Sequence, residues 1–230
     1  MQTWMTTSGM RVVRMLFGRT NVYLIYGTVE PILVDSGWQG DRRRLLRLLH
    51  LHGRPGQVVL THTHFDHTAN AWAVMQEFSP LFIVQEKEKA WLESGDSPLP
   101  MGTNKATRFL GKLGSRQVPG WFRVKGVPAG ITFFSRYDFP DVPAGECYIM
   151  HTPGHSPGSS SVVVGNEVAL VGDAMHGMGR SAYPPWGNDP AGIMASWKML
   201  LETGCHTFLP GHGFPVSREK LERSLRRRSS

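Results

Sequence analysis

The segment Thr61-His62-Thr63-His64-Phe65-Asp66-His67 places three imidazoles and a carboxylate within seven residues. Imidazole nitrogens mixed with carboxylate oxygens are a common metal donor set, so metal binding is favoured over a plain solvated loop. His62 and His64, two positions apart, can point the same way, while Asp66 and His67 follow at once and can face a second point. One ion could not easily use all four side chains; two could. Three later segments add donors: His155 in His151-Thr152-Pro153-Gly154-His155, Asp173 after Gly172, and His212 in Pro210-Gly211-His212-Gly213.

Local patterning explains how these donors are presented. Gln57-Val58-Val59-Leu60 is a short apolar, β-branched run behind Pro55-Gly56, which reads as a buried strand, and a helix is expected at about 68–78. The His-rich stretch is then the loop leaving the strand's carboxyl end, where α/β folds bind ligands. Tyr148-Ile149-Met150 is a second strand-like run, and the Pro-Gly pairs after it force a turn that carries His155. Ser161–Val164 and Glu167–Val171 flank Gly165-Asn166, a tight hairpin signal, and the second of these runs ends on Gly172-Asp173. Thr207-Phe208-Leu209 leads to His212, whose flanking glycines permit close backbone approach. Strands near 11–17, 21–27 and 31–35 precede a helix at about 39–51. Asp189-Pro190 is a helix start whose Ile193, Trp197, Leu200 and Leu201 make one apolar face. Ser217 caps a last helix containing Leu221 and Leu225.

In this order, Thr-His-Thr-His-Phe-Asp-His, Thr-Pro-Gly-His, Gly-Asp and Pro-Gly-His-Gly resemble the metallo-β-lactamase-fold hydrolase superfamily, glyoxalase-II-like and lactonase-like branches included. Leu33-Val34-Asp35-Ser36-Gly37 is similar to its early Asp-bearing strand. The resemblance covers nearly the whole chain and implies an α+β fold, a four-layer αβ/βα sandwich. Carried over position by position, it implies one ion on His62, His64 and His155, a second on Asp66, His67 and His212, and Asp173 bridging them. Zinc is the expected metal, with iron or manganese as substitutes. A hydroxide shared by the ions would attack the carbonyl of a small ester, lactone or thioester. Asp66 would relay a proton to the leaving group, Asp173 would be the other catalytic residue through its bridging of the ions, and Asp35 would orient a ligand imidazole from behind.

Other residues are read more modestly. His151 shares a strand with Tyr148 and Met150 and is structural; His50, His52 and His206 form no ligand pattern; Phe65 packs. His176, three beyond Asp173, is a candidate for substrate contact. Between residues 95 and 130 a single acid, Asp96, stands against Lys105, Arg108, Lys112, Arg116, Arg123 and Lys125. There Ala106, Phe109, Leu110 and Leu113 have helical spacing, which reads as a short lid helix within a single 1–230 domain. Its Lys105 and Arg108, with Trp121 nearby, would contact an anionic small-molecule substrate, and the same segment could serve a homodimer contact.

Composition bounds the alternatives. The 230 residues are 40% apolar, carry a formal net charge of +7 and contain two cysteines, too few for a disulfide framework. With no twenty-residue apolar run and no secretory start, a cytoplasmic protein away from membranes is expected. Much of the excess charge is local, in Arg42–Arg44 and Arg226–Arg228, which argues against nucleic acid as partner. Asp173 stands where the best-known zinc β-lactamases use cysteine or a non-bridging residue, which turns the expectation away from penicillins. Gly172 to Ser181 also resembles a stretch of the persulfide dioxygenases, which bind one iron; that activity is the alternative, with a nuclease behind it.

Overall fold

The computed structural model describes residues 1–103, 107 and 122–229. Lys105, Arg108 and Trp121, and the lid helix expected around them, lie outside the described residues. Among those described, one sheet contains β1 (Thr3–Met5), β2 (Arg11–Leu16), β3 (Val22–Tyr26), β4 (Ile32–Val34), β5 (Gln57–Val59), β6 (Leu81–Gln85) and β7 (Ile131–Phe133), in that order. The β1–β4 pairings are antiparallel and the β4–β7 pairings parallel. The second sheet contains β8 (Arg136–Asp138), β9 (Cys147–His151), β10 (Ser160–Val164), β11 (Val168–Gly172), β12 (Thr207–Pro210) and β13 (Val216–Ser217). Its order is β13-β12-β11-β10-β9-β8, antiparallel except for the β11–β12 pair.

The period-2 alternation of the strands creates the layers. Val12, Ile25, Ile32, Val34, Val59 and Ile83 point inward and meet Ile149, Val162, Val164, Leu170 and Leu209 of the other sheet. The residues between them point outward. Val13, Leu24, Leu33, Val58 and Val84 pack against Leu45 and Leu49 of α1 (Arg42–His52) and against Ala71 and Val74 of α3 (Ala71–Phe78), which follows the single turn α2 (Phe65–Thr68). Leu92 of α4 (Lys89–Ser94) joins this layer. On the far side, Val163, Ala169, Val171 and Phe208 meet Ile193, Trp197 and Leu200 of α5 (Pro190–Glu202) and Leu221 of α6 (Arg218–Ser229). The result is the expected αβ/βα sandwich. Each fully buried Leu, Val or Ile in it contributes roughly 1.5–3 kcal/mol of transfer free energy.

Several local expectations have direct counterparts. Gly165 and Asn166 both have positive φ, 63° and 52°, as a two-residue hairpin turn between β10 and β11 requires. Asp189 caps α5 by accepting from the Ala191 amide at 3.0 Å, with Pro190 in the first turn. Ser217 Oγ accepts from the Lys220 amide at 3.3 Å at the start of α6. Both cysteines are buried and free, and burial raises both thiols above their usual range. No helix among the described residues is long and apolar enough to cross a membrane.

Two helix boundaries need correction. The helix expected from residue 39 begins as a 3-10 turn at Gln39–Asp41 and becomes α-helical only at Arg42. The helix expected at 68–78 is broken: α2 ends at Thr68 and α3 starts at Ala71. Asn70 stands in the break because its Nδ2 donates to the carbonyls of Ser36, Gly37 and Trp38 at 2.8–3.2 Å. A tertiary claim on one side chain here overrides the helical propensity of its neighbours.

Candidate metal centre

The seven candidate donors follow the carboxyl ends of β5, β9, β11 and β12. His62 and His64 lie on the short loop after β5, and Asp66 and His67 lie on α2 rather than on the loop itself. His155 sits on the β9–β10 turn, Asp173 directly after β11, and His212 two residues beyond β12. Backbone bonds join these ends: Ser160 N–H to Thr61 O at 2.8 Å, Gly211 N–H to Gly172 O at 2.8 Å, and Asn21 N–H to Gly211 O at 2.7 Å.

Three donor groups result, each with its ligand atoms within 4.8 Å of one another: His62, His64 and His155; His62, His67 and Asp173; and Asp66, His67 and His212. Asp173 lies between the outer two. Its Oδ1 is 3.4 Å from His67 Nε2, and its Oδ2 is 3.4 Å from His212 Nε2 and 3.6 Å from His155 Nε2. Asp66 Oδ2 is 3.1 Å from His212 Nε2.

Three of the rings are held through Nδ1, which leaves Nε2 facing the centre. His67 Nδ1 donates to Asp35 Oδ2 at 2.8 Å, His155 Nδ1 to the Trp186 carbonyl at 3.0 Å, and His212 Nδ1 to the Arg19 carbonyl. Asp35, buried and at φ 62°, also accepts from the amide and hydroxyl of Thr61. A positive φ on a non-glycine residue is strained backbone of the kind that accompanies functional sites. Thr61 Oγ1 in turn lies 3.1 Å from His62 Nδ1, and Thr20 Oγ1 donates to Asp66 Oδ2 at 3.2 Å.

These residues fit divalent ions. His62 Nε2, His67 Nε2 and Asp173 Oδ1 are buried without a hydrogen-bond partner. Such buried atoms are costly to leave unengaged by water or an ion, and a lone-pair nitrogen and a carboxylate oxygen together suit a cation. Gly211 leaves the needed room, since a Cβ there would come within 2.5 Å of His67 Cε1 and 2.6 Å of Asp173 Oδ1.

The electrostatics divide the histidines. Burial, reinforced by neighbouring imidazoles, holds His62 well below the usual histidine range and His64 at about 3. Burial also lowers His155. Burial opposes charge on His67, but Asp35, Asp66 and Asp173 outweigh it and raise that ring well above its usual value. His212 behaves likewise: Asp173 and Asp66 overcome burial and bring it to about 10. Burial would raise Asp66, yet His67 and His212 hold it at about 2, and the same pair with His155 keeps Asp173 well below the carboxylate range.

Aromatic side chains stand close to the donors in the chain, Phe65 beside Asp66 and Phe214 two residues after His212. Phe17 and Phe214 are exposed and 5.3 Å apart between ring centroids; Met178, beside Gly213, is exposed too. Trp38, Phe65 and Phe122 form a chain with centroid spacings of 5.5 and 4.6 Å, and the Arg19 guanidinium lies 5.3 Å over Trp38. His176 is brought beside His212, 6.1 Å between rings. His151 braces the β9–β10 turn through Nε2 to the Pro157 carbonyl at 2.8 Å. His50 pairs with Glu77 on the surface. Sequence reasoning missed Thr20, Thr61 and Glu88. Thr61 carried no signal beyond its place next to His62, Thr20 lies 46 positions from the Asp66 it meets, and Glu88 sits in a charged run that reads as solvated.

The family model for the metallo-beta-lactamase superfamily matches residues 15–212. The chain belongs to that superfamily. A probable metallo-hydrolase of Methanocaldococcus jannaschii is 28% identical over 202 residues, 84% of this chain and 87% of the relative. A probable metallo-hydrolase of Streptococcus pyogenes is 27% identical over 198 residues, 84% and 78% of the two chains. The hydroxyacylglutathione hydrolase GloC of Haemophilus influenzae is 30% identical over 158 residues, 66% of this chain and 65% of that one. The crystal structure of the B3 metallo-beta-lactamase BLEG-1 aligns at a TM-score of 0.70 and 25% identity, covering 91% of this chain and 95% of that one. Membership of the metallo-beta-lactamase superfamily, these relatives and the His/Asp clusters together support a metal-dependent hydrolase.

Proposed function

We propose that this protein is a dinuclear metallo-hydrolase, with zinc as its metal, acting on a small ester, lactone or thioester. The observation that carries the reading is the pair of separate donor groups, His62/His64/His155 and Asp66/His67/His212, with Asp173 between them and orphaned donor atoms aimed inward. His62, His64 and His155 would hold one ion, Asp66, His67 and His212 the other, and Asp173 would touch both. When bound, two such ions lower the pKa of water and stabilise charge developing on a carbonyl oxygen.

The chain's own residues account for the rest. Asp66 stays ionised at neutral pH, is partly exposed, and is held by Thr20, so it can take a proton and pass it to the departing oxygen or sulfur. Asp35 keeps the His67 ring turned inward, as the carbonyls of Arg19 and Trp186 do for His212 and His155. Exposed Phe17, Phe214 and Met178, with part-buried Trp38 and Phe65, suit a substrate with an apolar body, and exposed Arg19 suits an anionic end. His176 stands where it can touch such a substrate, and the likeness to a hydroxyacylglutathione hydrolase is consistent with a thioester.

Elemental analysis paired with a panel of thioesters, lactones and simple esters tests this reading. The expected result is two equivalents of a divalent metal and hydrolysis of at least one carbonyl class. One equivalent of iron with rapid oxygen consumption on glutathione persulfide would overturn it in favour of dioxygenase chemistry.

A further inference from the structure

Glu88 ends the 3-10 turn Glu86–Glu88, just after β6, and is completely buried. A buried carboxylate is strongly unfavourable unless its oxygens are fully satisfied. The donors around Glu88 divide between two loops. Oε2 accepts from the Thr63 amide at 3.0 Å and from the Thr63 hydroxyl. Oε1 accepts from the Ser156 hydroxyl at 2.6 Å and the Gly158 amide at 3.0 Å. Thr63 stands between His62 and His64, and Ser156 follows His155. One oxygen thus holds the β5 loop, the other holds the β9–β10 turn, and these two loops belong to different sheets.

Further contacts show that this clamp is built closely. A Cβ on Gly158 would come within 2.5 Å of Glu88 Cγ, so only glycine permits the approach. Gln85 Oε1 accepts from the Lys87 amide at 2.7 Å and its Nε2 donates to the Phe134 carbonyl at 2.9 Å, which fixes the turn that carries Glu88. His64 Nδ1 and His155 Nε2, the rings on either side of the clamp, are 2.9 Å apart.

We infer that Glu88 is a positioning residue that sets the spacing of His62 and His64 against His155, and so tunes the affinity of that group for its ion without touching it. The inference rests on the metal-site reading above. Asp66, His67 and His212 are oriented by other partners, namely Thr20, Asp35 and Arg19, so the effect falls on one ion and spares the other.

Glu88→Gln is the decisive variant because it keeps the shape and removes one acceptor. A carboxamide offers an oxygen to one loop but presents its NH2 to a backbone N–H of the other, so the clamp opens on one side. Cobalt(II) titration, followed by visible absorption and equilibrium dialysis, reads the two sites separately. The parent protein should take up two equivalents; in Glu88→Gln one site should weaken by about 10- to 100-fold, as when partners behind metal ligands are lost, and the other should keep its affinity. A lower melting temperature with both affinities unchanged would make Glu88 merely structural and overturn the inference; so would an equal loss at both sites. If the parent protein binds no cobalt, the metal-site reading itself falls and takes this inference with it. Should Glu88→Gln not fold, Ser156→Ala removes a single donor to Oε1. It should weaken the same site several-fold, and unchanged affinities there would equally refute the role.

Discussion

The two charged imidazoles of the centre have a measurable consequence. His67 is raised well above 6.5 and His212 to about 10, so in protein stripped by a chelator both carry a proton at neutral pH. An entering cation must displace those protons. Metal uptake is therefore expected to release protons and to tighten as pH rises from 7 towards about 10; calorimetric titrations in buffers of differing ionisation enthalpy check this, and buffer-independent heats would contradict it. Stability of the stripped protein follows the same charges with definite signs. The contribution of raised His212 is complete below 6.5 and fades as pH climbs through about 10, and that of raised His67 is likewise present below 6.5 and lost on the alkaline side. That of Asp66 is complete above 3.8 and fades as pH falls through about 2. His64, lowered by burial, adds a further loss on acidification from 6.5 towards about 3, and His62, lowered by burial as well, adds a loss of the same sign below 6.5. Asp173→Ala should abolish metal and activity together, because its two oxygens face His67 on one side and His155 and His212 on the other; an active variant retaining two ions would refute the assignment.

Among the elements that carry no candidate ligand, α5 braces the centre through one buried hydrogen bond. Trp197 is wholly buried and its Nε1 donates to the Ala174 carbonyl at 2.7 Å, one residue beyond Asp173. Trp197→Ala should destabilise the fold by about 3–5 kcal/mol and loosen Asp173; denaturant unfolding gives the first quantity, and a loss below about 1 kcal/mol would show that α5 does not brace the site. The candidate donor loops were legible in the sequence because ligand chemistry restricts both residue type and spacing, and β5, β9 and β11 because their short apolar runs end at turn residues. The broken helix at Ala69-Asn70 was not legible, since the carbonyls that capture Asn70 come from Ser36 to Trp38, far away in the chain. The strands β1, β7 and β8, three residues each, are too short for alternation to register. Glu88 was hidden for a different reason: an acid in Glu86-Lys87-Glu88-Lys89 gives no sign that one of its members is enclosed.

For the whole molecule, the formal charge of +7 and the basic run around Lys105 and Arg108 predict electrostatic attraction of anionic substrates. The KM for such a substrate should rise with ionic strength over the range where the Debye length shortens from about 30 to about 8 Å, while a neutral analogue should be indifferent. Lys105→Ala combined with Arg108→Ala should reduce that salt dependence, and steady-state kinetics at several salt concentrations decide the matter. If the double variant behaves as the parent does, the basic segment is only a solvated surface.

The strand order also has a meaning for how the protein is assembled. Among the described residues, every strand of the first sheet lies before Phe134 and every one of the second after Ser135, so the described chain passes from one sheet to the other at Phe134–Ser135, where Phe134 is exposed. Each half of the sandwich is a continuous stretch of polypeptide, and the cations would be clasped by donors drawn from both. A backbone nick at Phe134–Ser135 would sever one tether and leave both sheets whole. Their rejoining would then depend on the buried face between them and on the ions, which makes metal concentration a control on whether two separate pieces find each other.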